Sequence, residues 1–564
     1  MATVIADNII SPLGFNTRDN YTAIKSGKSA LSRYDTFHGV PFAFTASLFN
    51  QRQIAELQID GYTRFESLAI QSIRNAYASC KIDISKAGLI ISSTKGNVDL
   101  LSESDNPDQV KYLGSSAKRI ANAVGVNTQP IVVCNACISG VSALILAERL
   151  IESKAFNQII VCGIDIQSPF IISGFESLKA LSLQECRPFD IERIGLNLGE
   201  AAATMILCDK SDNNLWSIQN GAVKNDAYHI SSPQPQGDGC KRAIEVAVNG
   251  TDIFELAQIN AHGTATMYND QMESKAISRS GLSDIPTNAL KGYFGHTMGA
   301  SGVMETILTM HALNEGIVLA TRGFDTIGVS GKVTISSNPI ATDKKKFLKI
   351  ISGFGGCNGA ILLSKENRNK IHPSEAATQI THRVHITASE VTVDRTNIPI
   401  SESETKRLTW LYKQYSCNYP KFYKMDNLSK LGFIASELLM IAEGKPRDTD
   451  DYNRGIVFFN RTGSYLADKA YWESIKDKDN FYPSPSLFVY TLPNIVTGEI
   501  AIRNKYYGET AFYILPERNQ QTIDSIINST FADKSTTSLI TGWIDYESDT
   551  NFEADIYIIE KKSN

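Results

Sequence analysis

The chain has 564 residues, 42% of them hydrophobic and 20% charged, with a formal net charge of −5. That size and composition fit a globular protein of about two to four packing units, able to bury its cores without disulfides or metals. The slightly acidic balance excludes a global attraction to nucleic acid or anionic membrane surface, and no apolar stretch reaches the ~20 residues that a membrane helix requires.

Residues 1–14 lack a basic region followed by a long apolar one, so no secretory signal is expected. Nine cysteines spread over the whole chain read as reduced thiols of a cytoplasmic protein, not as a disulfide framework. Residues 87–93, 129–134, 158–164 and 202–208 are near-continuous apolar runs bounded by turns, which suits strands buried on both faces. Between the second and third runs, residues 139–153 carry Val141, Leu144, Ile145 and Leu150 at helical spacing. A second set follows, with strands expected at 257–261, 333–337 and 347–353 and helices near 270–280 and 302–315. The alternation predicts α/β layers.

Residues 366–382 are polar and poorly periodic, and read as a linker. Beyond them the sequence echoes its own beginning in three places, in order. Residues 455–463 echo 88–96, residues 541–545 echo 162–165, and residues 553–561 echo 200–208. Three matches in register predict a duplicated unit.

Four places carry candidate chemistry. Cys137 stands where an apolar strand runs into a helix, so helix-terminal N–H groups are expected to favour its thiolate and to stabilise an oxyanion formed by its attack. Cys134 lies on the strand and reads as a structural thiol. The pair has Cys-x-x-Cys spacing, but no second pair or Cys/His cluster supports zinc or redox chemistry, so no metal or cofactor is expected. His262 ends an apolar run before Gly263 and Thr264, at a strand end where α/β folds keep reactive groups. His296 sits among small residues that open a helix, with Lys291 before it and Glu305 after it. Gly353-Phe-Gly-Gly-Cys-Asn-Gly359 is a glycine-rich turn after an apolar strand, matching neither the Walker nor the Rossmann spacing. Singly, each place is as well explained by packing. Together, one cysteine and two histidines suggest thioester chemistry.

At these places the chain resembles the β-ketoacyl synthases of the thiolase-fold superfamily. Asn135-Ala-Cys137-Ile-Ser-Gly140 is similar to their nucleophile motif. His262-Gly-Thr-Ala-Thr266 is similar to their first histidine motif, and Lys291 with Gly295-His296-Thr-Met-Gly299 to their lysine and second histidine motif. Gly353-Phe-Gly-Gly-Cys-Asn358 is similar to their C-terminal glycine motif. Residues 187–201 resemble a further signature that is mostly structural.

The resemblance implies a thiolase-like fold of two α/β halves, five-layered overall, at residues 1–210 and 211–365. Its first strand and early loops look trimmed for the family. It implies that Cys137 takes an acyl group from an acyl carrier protein, with the N–H groups of Cys137 and Phe354 as oxyanion hole. A malonyl thioester then loses carbon dioxide, and the enolate attacks the acyl-cysteine, in fatty acid or specialised polyketide or aryl polyene biosynthesis. His262 and His296 would assist as neutral imidazoles, Lys291 and Glu305 would orient them, and Phe354 would gate the acyl chain.

Residues 383–564 resemble the N-terminal half of ketosynthase-like proteins called chain-length factors, with Glu517 near the nucleophile position and Cys417 read as structural. The expected assembly is a homodimer, a ketosynthase-like heterodimer, or an internal pseudo-dimer through this third thiolase-like half. Two rivals stay open: a thiolase, with Cys357 as a second reactive cysteine, and a non-catalytic scaffold.

Overall fold

A computed structural model describes residues 1–102, 112–366, 377–399, 406–445, 449–477 and 479–562. The apolar runs of the first 210 residues form β1 (Ala2–Ile10), β2 (Gly88–Ser92), β3 (Ile131–Val133), β4 (Gln158–Asp165) and β5 (Ala201–Asp209). β2 and β3, and β2 and β4, pair in parallel, while β5 lies antiparallel to both β4 and β1. The order across the sheet is thus β1-β5-β4-β2-β3. β1 is a full nine-residue strand, so the first strand is not trimmed.

A second sheet is built from β6 (Ser217–Asn225), β7 (Gln258–Asn260), β8 (Pro286–Asn288), β9 (Thr334–Ile335), β10 (Lys346–Gly353) and β11 (Cys357–Ser364), in the order β6-β11-β10-β7-β8-β9. The glycine motif at 353–359 is therefore the turn of a β10–β11 hairpin, closed by the Gly353–Cys357 pair.

Helices fill the spaces in order: α1 (Arg64–Tyr77), α2 (Leu113–Val124), α3 (Ser139–Glu152), α4 (Asp238–Ala247), α5 (Met267–Arg279), α6 (Lys291–Phe294) and α7 (Ser301–Asn314). α1 starts with a capping box in which Thr63 accepts from the Glu66 N–H and Glu66 accepts from the Thr63 N–H. It covers the outer face of the first sheet, α4 covers the outer face of the second, and α3 and α7 lie between the two sheets. Two glycines set that central crossing. A Cβ on Gly140 would come within 3.0 Å of the Gly302 Cα, and one on Gly302 within 2.5 Å of the Val141 N. Only glycine lets the two helix starts approach this closely, and those starts carry Cys137 and His296.

The rest of the chain forms β12 (Thr378–Thr387), α8 (Asn427–Glu443), β13 (Arg454–Asn460), α9 (Ile495–Asn504), β14 (Thr510–Ile514), α10 (Gln520–Thr530), β15 (Ser538–Ser548) and β16 (Asn551–Lys561). The expected linker at 366–382 needs correcting at its C-terminal end. Residues 378–382 are strand, pairing with β16, because residues polar on one face can still complete a ladder at a sheet edge; residues 367–376 lie outside the described residues. The strand order here is β12-β16-β15-β13-β14, with the same parallel and antiparallel senses as β1-β5-β4-β2-β3.

β14 pairs antiparallel with β3 through Tyr513–Val133 and Ile514–Val132, so the two five-strand arrays make one continuous sheet. Hydrophobic cores cross the junction: Val132, Cys134 and Ile91 pack in one cluster with Leu431, Phe458 and Ile514. Buried ion pairs cross it too, Arg149 with Glu509 in a two-pronged contact at 2.9 and 2.8 Å, and Lys224 with Asp533 at 2.6 Å. Cys417, read as structural, is exposed.

Candidate active site

Each candidate side chain stands on a sharp turn after a strand or short helix. β3 ends at Val133, and Cys137 lies in a single 3-10 turn, Ala136–Ile138, that runs directly into α3. β7 ends at Asn260, and His262 follows two residues later. α6 ends at Phe294, and Gly295 with φ 71° turns the chain into His296. A Cβ at Gly295 would lie 2.3 Å from the Leu198 carbonyl oxygen, so that turn requires glycine. Non-glycine residues with positive φ mark all three turns: Ala136 at 48°, Ala265 at 61° and Met298 at 51°. Such conformations cost of order 1–3 kcal/mol each and persist where surrounding structure imposes them.

The three turns converge. The sulfur of Cys137 and one ring nitrogen each of His262 and His296 lie within 4.8 Å of one another. The imidazoles meet edge to face, centroids 5.0 Å apart at 81°. All three line a cavity of about 320 Å³, together with Phe354, Phe175 and the exposed rim residues Ile194, Met267 and Tyr268. Cys137 is partly exposed into it, while His262 and His296 are 3% and 1% exposed. Asp226, His229, Ser231, Ser232 and Asn358 give one wall a polar character.

Hydrogen bonds fix the histidines. The His262 and Gly263 N–H groups donate to Glu273 at 2.5 and 2.8 Å, and those of Thr264 and Ala265 to Asp270 at 3.0 and 3.1 Å. Lys291 donates to the His262 carbonyl at 2.8 Å and to Glu305 at 2.7 Å. The Met298 N–H donates to His296 Nδ1 at 3.3 Å, which leaves the ring proton on Nε2. That Nε2, and Nδ1 of His262, are buried without a hydrogen-bond partner among the described residues. Burial, then the positive charge of Lys291, hold both imidazole pKa values well below the ordinary value. Both rings are therefore neutral at physiological pH and can donate without carrying charge.

Cys137 departs from the sequence expectation. Burial pushes its thiol up to about 12, against the opposing charge of Lys291 and with the help of Asp165. Desolvation of the thiolate outweighs the helix start, so the sulfur rests as a thiol. Cys134 is fully buried, its thiol donating to the Thr94 carbonyl at 3.7 Å.

Phe354 stands at the β10–β11 turn beside Cys137. A Cβ on Gly353 would lie 3.2 Å from the Cys137 N, so the two turns are in close backbone contact. The Phe354 ring stacks on Phe175, centroids 6.3 Å apart.

Sequence reasoning missed several contributors. Lys349, on β10, joins Lys291 on Glu305. Its signal is a charge in the middle of an apolar run, between Phe347-Leu348 and Ile350-Ile351. Asn494 and Thr510 reach the site from the C-terminal part; they lie in the segments 484–498 and 508–516 that carry its ketosynthase-like resemblance, but nothing in those segments points to contact with the Cys137 site.

Residues 3–213 match the family model for the β-ketoacyl synthase N-terminal domain, and residues 215–325 that for the C-terminal domain. The chain belongs to the β-ketoacyl synthase family. Among its relatives, 3-oxoacyl-[acyl-carrier-protein] synthase 2 of Coxiella burnetii is 25% identical over 402 residues, covering 63% of this chain and 96% of that protein. The ketoacyl synthase alpha subunit of the tetracenomycin polyketide synthase of Streptomyces glaucescens is 28% identical over 277 residues, 45% of this chain and 65% of that one. Two solved structures share the fold at low identity. A β-ketoacyl synthase from Burkholderia phymatum covers 65% of this chain and 99% of its own with a TM-score of 0.58 at 22% identity. The PfaC keto synthase–chain length factor covers 99% of this chain and 78% of its own with a TM-score of 0.77 at 14% identity.

Proposed function

We propose that the protein is a β-ketoacyl-[acyl carrier protein] synthase, an acyltransferase that joins an acyl thioester to a malonyl thioester with loss of carbon dioxide. The observation that carries this reading is the meeting of Cys137, His262 and His296 in one cavity that opens to the surface.

In the first step the Cys137 sulfur attacks the acyl carbonyl, the bond to the carrier sulfur breaks, and the Cys137 proton ends on that sulfur, so the carrier leaves as a thiol. The N–H groups of Cys137 and Phe354 form the oxyanion hole. In the second step the malonyl C–C bond to the carboxylate breaks and carbon dioxide departs. The electron pair is held as an enolate whose oxygen accepts hydrogen bonds from His262 and His296. The enolate carbon then attacks the acyl-cysteine, a carbon–carbon bond forms, and the Cys137 sulfur is released. Lys291 and Glu305 orient the histidine turns, and Phe354 gates the acyl chain. The partner is an acyl carrier protein carrying acyl and malonyl groups, in fatty acid or specialised polyketide or polyene biosynthesis in the cytoplasm. No helix among the described residues is long and apolar enough to cross a membrane.

A thiolase reading is disfavoured by Cys357, which is 1% exposed, gives its thiol to the Phe354 carbonyl at 3.1 Å, and does not line the cavity. Intact-mass analysis after incubation with acyl-carrier thioester tests the first step. The acyl group should map to Cys137 and be absent from Cys137→Ala; an acyl group elsewhere contradicts the assignment.

The unit from residue 378 onward is read as an internal partner, a third thiolase-like half without a nucleophile. Its support is the repeated strand order, the β3–β14 pairing and the cores shared across it. Truncation near residue 370 should uncover β3 as an open apolar edge and change the assembly state seen by size-exclusion with light scattering. A truncated protein with the assembly state and activity of the full chain would contradict the reading.

A further inference from the structure

Two lysines, not one, meet the carboxylate beneath the histidines. Glu305 on α7 is fully buried, and its two oxygens are shared: Oε1 accepts from Lys291 at 2.7 Å, and Oε2 accepts from Lys349 in a very close contact. Lys349 is itself 0% exposed. Each lysine also reaches one of two consecutive carbonyls in the His262 turn, Lys291 that of His262 at 2.8 Å and Lys349 that of Ala261 at 3.2 Å. The result is a frame of two ammonium groups, one carboxylate and two consecutive peptide units, on which His262 is mounted.

Lys291 already lowers both imidazole pKa values, and Lys349 adds a second contribution of the same sign. Within the frame two ammonium groups face one carboxylate, and the neighbouring Glu273 carboxylate, which accepts from the His262 N–H, offsets part of that charge. The groups facing Lys349 are Glu305 from α7, Lys291 from α6, Glu273 from α5, and the two imidazoles. Burial lowers the Lys349 pKa to about 8, against the opposing charge of Glu305 and with the help of Lys291.

We propose that Lys349 is a positioning residue for decarboxylation: it braces the Ala261–His262 peptide and adds to the positive charge of Lys291 in keeping His262 and His296 as uncharged hydrogen-bond donors. The inference rests on the role given to those histidines above. An imidazolium would donate as well, but it would pair with the malonyl carboxylate and hold that group charged in place, opposing its departure as neutral carbon dioxide.

The sign is fixed. A positive neighbour disfavours the imidazolium, so removing it raises both imidazole pKa values. The test uses the full chain labelled with ¹⁵N-histidine and the uncharged Lys349→Met variant, with Lys349→Arg as the charge-keeping control. Histidine titrations by NMR are assigned through the His262 and His296 variants, and the pH profile of malonyl-thioester decarboxylation is measured alongside. Lys349→Met should raise both imidazole pKa values by roughly one unit and move the acid limb of decarboxylation up equally, whereas Lys349→Arg should leave both near wild type. Unchanged imidazole pKa values in a folded Lys349→Met protein would overturn the proposal. If Lys349→Met does not fold, Lys349→Gln takes its place with the same expected rise, and unchanged imidazole values in it overturn the proposal. A wild-type protein unable to decarboxylate would instead sink the functional reading, while the NMR titration would still decide the role of Lys349.

Discussion

Asn494 donates its side-chain amide to the Phe354 carbonyl at 2.9 Å, joining α9's first residue flank to the active-site turn across 140 positions of sequence. The packing around it leaves no slack. A Cβ on Gly355 would come within 2.6 Å of the same amide nitrogen, and one on Gly498 within 2.7 Å of the Gly355 carbonyl oxygen. Thr510 of β14 acts beside it, its carbonyl accepting from Asn135 at 2.9 Å and its hydroxyl from Asn225 at 3.0 Å, while Asn225 also donates to the Gly355 carbonyl at 2.8 Å. The turns of Cys137 and Phe354 are thus both braced by residues from beyond position 490.

Replacing Asn494 with Ala removes its hydrogen bond to the Phe354 carbonyl, of order 1 kcal/mol, together with a weaker one to the Cys357 sulfur. Steady-state condensation should slow by about fivefold, with acyl transfer to Cys137 and thermal stability much less affected. An unchanged condensation rate would show that the Phe354 turn does not depend on this brace.

The Arg149–Glu509 pair is buried on both sides, so breaking it strands a charge. Arg149→Met should lose about 3–5 kcal/mol in urea unfolding, and the double variant Arg149→Met with Glu509→Leu should recover most of it. Equal losses in the single and double variants would mean that the pair does not couple the two units.

Burial sets the pH dependence of thiol alkylation. With its pKa pushed up to about 12, Cys137 carries little thiolate at neutral pH. Its iodoacetamide labelling, followed by peptide mass spectrometry, should keep rising past pH 9 without levelling, and acyl substrate should suppress it. A plateau already reached by pH 8 would show that the helix start overrides desolvation.

Both imidazoles have pKa values held well below the ordinary 6.5. They gain protons only when the pH falls through those depressed values, so the neutral donors persist under mild acidity. Malonyl decarboxylation should stay flat from pH 7.5 down through 6.5 and drop only at lower pH. His262→Ala and His296→Ala should each slow it by on the order of 10²-fold. A limb centred at 6.5, or full turnover in either variant, contradicts the assigned role.

Much of this was legible in the sequence, for identifiable reasons. Strands buried on both faces leave uninterrupted apolar runs, so β2, β4 and β5 read directly. β6 carries Gln219, Asn220 and Lys224 along its length and shows no such run. Cys137, His262 and His296 stood out because small residues surround them. What could not be read was anything set by the fold alone. The strained φ of Ala136 is imposed by its neighbours and leaves no mark on composition. Asn494 and Thr510 reach the site only because β3 and β14 pair, and three-residue β3 does not name its partner. The Cys137 thiol was expected to be acidic from its place before a helix, but the competing cost of desolvation depends on how completely the cavity encloses the sulfur.

Incubation of the purified protein with an acyl-carrier thioester and carboxyl-labelled malonyl-carrier thioester tests the central claim most directly, with the products read by mass spectrometry. The account predicts that the label leaves as carbon dioxide, that the acyl chain gains a two-carbon β-keto extension, and that Cys137→Ala makes no such product. Extension with the label retained, or extension that survives loss of the Cys137 sulfur, would contradict it.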